Sequence, residues 1–235
     1  MTGSINRIPL VFIGALLLTT IALSSPAQAI PTITCHCFTD RSYDPARPAL
    51  ADPYFLAMTQ NTLFALVFKI DKKSVVIKKQ QGVSSDDLWI AYWIAAKSGQ
   101  SPEGLLQAKT DKGTWPEVIG QLLLPPKTLG AGVSGALNAR ASAAVLASAV
   151  VNDLFRSFRL LSDGDVAALR QAGANNQELI LSTVIATKTR KLAIQFYNEV
   201  KTGATTWGTL LQQAKIGPRN MQTEIAAILE VQTKK

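Results

Sequence analysis

The chain has 235 residues, a formal net charge of +8, two cysteines and one histidine. That sparse set excludes the histidine-rich sites of catalytic zinc, H-E-x-x-H helices and C-x-x-C-H haem attachment, and it confines any Ser-His-Asp or Cys-His set to His36. No G-x-G-x-x-G or Walker loop is present, and the 24 basic residues are scattered rather than interleaved with aromatics, which argues against a nucleic-acid partner.

From the N-terminus, Arg7 precedes the apolar run "IPLVFIGALLLTTIAL", and Ala27 and Ala29 in "SPAQA" have the spacing of a signal-peptidase site. This order predicts a secretory signal peptide over 1–29; the alternative is an N-terminal membrane anchor, since the run approaches a spanning length. Cys35 lies beyond the run with no lipobox before it, which speaks against a lipoprotein. The expected location is the periplasm or the extracellular space, with a soluble protein after cleavage near Ala29. No later segment reaches the roughly 18 continuous apolar residues of a membrane span, so no stable span is expected in the mature chain.

The next segment, 30–53, is read as extended and holds "TCHCF", the only cysteines and the only histidine of the chain. In an extended backbone Cys35 and Cys37 share one face and His36 points to the other. Two thiolates at that spacing can chelate a soft ion such as Cu(I) or Zn(II), but a closed structural zinc site needs about four ligands, and Asp40 and Asp44 complement thiols poorly. An exported protein meets an oxidising compartment, where two cysteines also suggest a disulfide, here across a small and labile ring. An inert staple, a metal site and a redox or intermolecular pair all remain open for Cys35, His36 and Cys37.

Beyond residue 53 the chain repeats itself. "VVIKKQQGVSSDDLWIAYWIAAK" from Val75 aligns with "VAALRQAGANNQELILSTVIATK" from Val166 at a constant offset of 91, pairing Gly82 with Gly173, Leu88 with Leu179 and Lys97 with Lys188. "NTLF" at 61–64 meets "NDLF" at 152–155, and after one inserted residue "KTDKGTWPEVIGQ" meets "KTGATTWGTLLQQ". Helix-start signals recur with it. Ser84 with Asp87, Ser162 with Asp165 and Asn175 with Glu178 have capping-box spacing, Ser101 precedes Pro102, and Thr114 and Thr206 precede tryptophans. "SVVI" at 74–77 is β-branched, but its counterpart "DVAAL" reads as helix, and both are assigned helical. The prediction is an all-α protein, a compact helical bundle of two tandem pseudo-symmetric units of four or five helices each. Unit 1 spans 54–130, a Gly/Ala-rich junction and helix start 131–144, unit 2 spans 145–222, and a C-terminal helix with a basic tail closes the chain at 223–235.

"SPEGLLQAK" followed by "GTWPEVIGQLL" resembles the helical-hairpin modules of uncharacterised exported bacterial proteins, in which S-x-E-E-[VL]-L opens one helix and W-[GP]-x-[IL] the next. The resemblance covers about 25 residues in each half, and the second half departs from it with "LAIQFYNEV". It implies a helical fold and export, and no activity.

The carboxylates lie near helix starts, and Asp86 and Asp87 point about 100° apart on a helix, which gives no evident glycosidase pair. Trp89 and Trp93 lie four apart on one helix face, read first as core and alternatively as an exposed interaction or sugar-stacking surface. These residues favour a non-enzymatic exported module, whose partner is another envelope protein or an anionic envelope polymer and which needs no cofactor. The alternative is a thiol-based protein holding a soft metal ion, or doing redox chemistry, at Cys35 and Cys37.

Overall fold

The computed structural model describes residues 41–125 and 128–233, all of them within one compact unit, Pro31–Lys235. Among these residues there are twelve helices and no strand: α1 (Asp52–Phe68), α2 (Lys72–Gln80), α3 (Ser85–Ser98), α4 (Pro102–Lys112), α5 (Trp115–Gly120), α6 (Ala131–Asn138), α7 (Ala143–Ser157), α8 (Asp163–Gln171), α9 (Asn176–Thr189), α10 (Ala193–Lys201), α11 (Trp207–Gln213) and α12 (Met221–Thr233).

Local chemistry sets most of the starts. Ser84, Ser101, Thr114, Ser162, Asn175 and Thr206 each accept a hydrogen bond from a backbone N–H in the first turn of the following helix. Only Asn175 and Glu178 complete the reciprocal box, with the Asn175 N–H donating to Glu178 Oε2 at 2.9 Å. At Ser84 and Ser162 the serine hydroxyl instead donates to the side chain of the shorter aspartate, at 2.7 and 2.6 Å, while accepting from that aspartate's backbone N–H. The β-branched "SVVI" stretch is helical within α2, where Val75 and Val76 are buried.

Helix starts recur along the chain. The pairs α1 and α7, α2 and α8, α3 and α9, and α4 and α10 each begin 91 residues apart. Left-handed backbone recurs too, at Gly82 (φ +93°) and Gly173 (φ +98°), and at Gly99 (φ +74°) and Arg190 (φ +58°). Taken as two spans, 52–138 and 143–233, the chain places α1–α5 and α7–α11, five helices each, in the two expected units, with α6 in the junction at 131–144 and α12 as the C-terminal helix.

Packing crosses between the two spans. α1 lies against α9, α11 and α12, and α7 lies against α3 and α6. The first helix of each span therefore completes the core of the other. α1, α3 and α9 are buried around most of their circumference, so polar residues on them satisfy themselves locally. Thr59 and Thr62 donate to the carbonyls of Phe55 and Met58, and Thr183 to that of Leu179, at 2.7–2.8 Å.

Two carboxylates hold the helix ends where the spans meet. Asp52 accepts from the N–H groups of Trp207 and Gly208 at the start of α11, at 3.0 and 2.7 Å. Asp153, on α7, accepts from Val133 N–H at 3.3 Å at the start of α6 and from Arg156 at 2.7 Å. Gly130, with φ +91°, is the residue that lets α6 come so close, because a Cβ there would stand 2.5 Å from Asp153 Oδ2. The run "LGAGVSG", which opens the expected junction and helix start, is thus capped from another helix.

Candidate functional site

The expected chemistry at Cys35, His36 and Cys37 falls outside the described residues. Within the described part of the 30–53 segment, turns run from residue 45 to Ala51. Asp44 sets the first of them, accepting from Ala46 N–H at 2.9 Å and Arg47 Nε at 3.1 Å. Those bonds, the backbone one first, hold its carboxyl below the ordinary aspartate value. Among the described residues no group of three or more His, Cys, Asp or Glu side chains is arranged to hold a metal ion.

Trp89 and Trp93 do not form an exposed surface, which corrects that reading. Their exposures are 1% and 6%. Trp89 packs edge-on against Phe64 with ring centroids 4.7 Å apart, and its Nε1 finds no acceptor among the described residues. Trp93 donates Nε1 to the Leu129 carbonyl at 2.9 Å, and Lys97 covers its ring at 4.6 Å. Both rings are core because α3 is enclosed by α7, α4 and α1.

The other charged groups of the interior are also tied to the fold. Asp87 accepts from Trp115 Nε1 and from Ser84 Oγ, each at 2.7 Å. Its neighbour Asp86 has a carboxyl pushed up, first by burial and then by the Asp87 charge, with Lys79 partly offsetting both. Lys79 donates to Asn61 Oδ1 at 2.5 Å. At the positions 91 residues on, Arg170 donates to Asn152 Oδ1 through Nε and Nη2, and also to Asn176 Oδ1 and the Ala174 carbonyl. Burial without a carboxylate partner lowers the Arg170 guanidinium to about 10.

What remains open to a ligand is a cleft of about 490 Å³ between α1, α2 and the start of α12. Tyr54, Met58, Thr62 and Leu66 recur every four residues on α1 and give it one continuous wall. Ile70 and Val76 extend the apolar lining, and Lys72, Lys73 and Arg41 stand on its rim with Asp71. The Asp71 carboxylate is engaged as the N-cap of α2, accepting from Lys73 N–H at 2.9 Å. A second cleft, of about 560 Å³, lies between α5 and the start of α7. Its walls are helix-end residues, among them Thr114 and Ser142, whose side chains already serve as caps.

The cleft at α1 and α2 was not among the sites expected from sequence. "DKK" at 71–73 reads as one of several scattered, solvated basic stretches, and no motif marks the α1 stripe. The one available signal was their adjacency, an apolar i, i+4 stripe running directly into a basic helix start. No helix among the described residues is long and apolar enough to cross a membrane. No family model, curated protein or solved structure matches the chain.

Proposed function

We propose that the protein is an exported, non-enzymatic helical module that binds an acidic, partly apolar segment of another envelope protein in the cleft between α1 and α2. The observation that carries this reading is the cleft's composition, a wall of Tyr54, Met58 and Leu66 interrupted by Thr62, beneath a rim bearing Lys72, Lys73 and Arg41. An amphipathic helix lays its apolar face into such a groove, and charges on its edge set register and orientation. Export rests on Arg7, the apolar run and the Ala27–Ala29 spacing, together with the resemblance of "SPEGLLQAK…GTWPEVIGQLL" to exported helical-hairpin proteins. The same reading takes the two halves as a tandem duplication, supported by the sequence identities and by helix starts that recur 91 residues apart. The thiol-based alternative at Cys35 and Cys37 rests on sequence alone.

The test is titration with a synthetic helical peptide bearing a glutamate face and a leucine face. Saturable binding is expected, and Lys72→Glu/Lys73→Glu is expected to weaken it by about tenfold or more, since reversing both rim charges replaces attraction with repulsion. Equal affinity in the variant, or no saturable binding to the parent protein, contradicts the proposal.

A further inference from the structure

Across α2 from the α1–α2 cleft lies a separate cavity of about 350 Å³. Ser74, Ile77 and Lys78 line it from one face of α2, at positions i, i+3 and i+4, with Tyr92 of α3 and Glu103 of α4 opposite them. Tyr92 is only 8% exposed, and its ring packs against Phe64 and Phe68 with centroids 5.1 and 5.6 Å away. A phenol buried to this degree normally bonds through its oxygen. The Tyr92 hydroxyl finds no hydrogen-bond partner among the described residues, and it faces the cavity rather than being sealed in the core. Burial raises its pKa, which keeps it a donor, and the charges that reach it are those of Lys78 and Glu103.

The positions 91 residues on are packed shut. Leu169 stands where Lys78 does and is fully buried, and Ile194 stands where Glu103 does, against the core. Thr183 takes the place of Tyr92 and satisfies itself on the Leu179 carbonyl of its own helix at 2.7 Å. There α8 packs against α10, with Tyr197 donating to the Ala172 carbonyl at 3.2 Å, whereas α2 packs chiefly on α1. An apolar contact in the second span is thus an opening in the first, with Lys78, Tyr92 and Glu103 turned into it.

These groups also define what the opening takes. Lys78 Nζ already holds one carboxylate, that of Glu103, at 2.7 Å. Glu103 is 62% exposed, and an ion pair so open to water holds weakly. A carboxylate arriving from solvent can replace Glu103 on Lys78 and gains the Tyr92 hydroxyl as a second donor. Ile70 and the 41% exposed Ile77 offer apolar surface beside it. The volume lies near the lower end of ligand pockets, roughly 300–1,000 Å³, which limits the ligand to a small one. We propose that this cavity binds a small aliphatic carboxylic acid, its carboxylate held by Lys78 and the Tyr92 hydroxyl and its tail laid on Ile70 and Ile77. The site is independent of the peptide reading of the α1–α2 cleft.

Calorimetric titration of the protein with sodium octanoate tests it, with octanol and octylamine as probes that keep the tail and change the head. Saturable octanoate binding is expected, about tenfold or more tighter than that of either other probe. Lys78→Gln is expected to weaken it by about tenfold or more. Tyr92→Phe keeps the ring in place between its neighbours and so reads the hydroxyl alone, with a loss of about fivefold. Glu103→Gln removes the internal competitor and is expected to tighten octanoate binding by about threefold, the opposite sign from the other two. No saturable octanoate binding by the parent protein would falsify the proposal. It is equally overturned by octanol or octylamine binding as tightly as octanoate, by parent affinity in both Lys78→Gln and Tyr92→Phe, or by weaker binding in Glu103→Gln.

Discussion

Asp86 sits in an environment that conflicts with its charge. Burial and the adjacent Asp87 raise its carboxyl in the folded protein, and Lys79 only partly compensates. A folded-state value above the unfolded one means the proton is held more tightly in the fold. The carboxyl therefore favours folding when protonated, and that contribution is lost as pH rises through the folded-state value. Asp86→Asn is expected to raise the melting temperature at pH 7, with the gain vanishing below the ordinary aspartate range near pH 4. A gain that persists unchanged at pH 3, or a loss at pH 7, contradicts this account of Asp86. The helix caps, by contrast, are residues at ease, and they were legible because their chemistry is local. Ser84, Ser101, Thr114, Asn175 and Thr206 each act within three residues of themselves. Trp93 was ambiguous for the opposite reason, since its burial and its bond to Leu129, 36 positions away, are decided by tertiary packing.

Among the elements, α6 shows how a helix start can be specified from a distance. "LGAGVSGAL" puts Gly130, not a serine, threonine or aspartate, at the N-cap position of α6, so it reads as a junction. Its cap is the Asp153 carboxylate of α7, reached across a gap that only a residue without Cβ permits at Gly130. Gly130→Ala is expected to cost about 2 kcal/mol or more, from a left-handed backbone and a contact with Oδ2 together. Asp153→Ala loses the cap and its bond to Arg156, for about 1–2 kcal/mol. The two changes act on one contact, so the double variant is expected to lose clearly less than the two single losses combined, as measured by denaturant unfolding. Additive losses would mean that Gly130 and Asp153 act independently. The same carboxylate also answers whether the glycine-rich turn is a phosphate loop, since the protein's own anion already occupies that helix start.

At the scale of the whole molecule, the all-α class and most helix positions followed from periodicity and caps, whereas the arrangement of the helices did not. The intervals 54–130 and 145–222 describe where the sequence recurs. They do not describe which helices share a core, because α1 packs with α9, α11 and α12, and α7 with α3 and α6. The cleft follows from that exchange. With α9, α11 and α12 packed on it, α1 keeps one stripe turned toward α2, and the turn at Ile70 and Asp71 brings Lys72 and Lys73 to its edge. No single stretch of sequence encodes such a groove, since α1, α2 and Gln222 of α12 are brought together only by the fold.

The most direct test of the cleft as the binding site is amide hydrogen exchange with and without the acidic amphipathic peptide. Peptide-dependent protection is expected in α2 and in the turn at Ile70 and Asp71, with the second cleft at Thr114–Gly120 and Arg140–Ala143 unchanged. Protection confined to the second cleft, or none in α2 at saturating peptide, would contradict it.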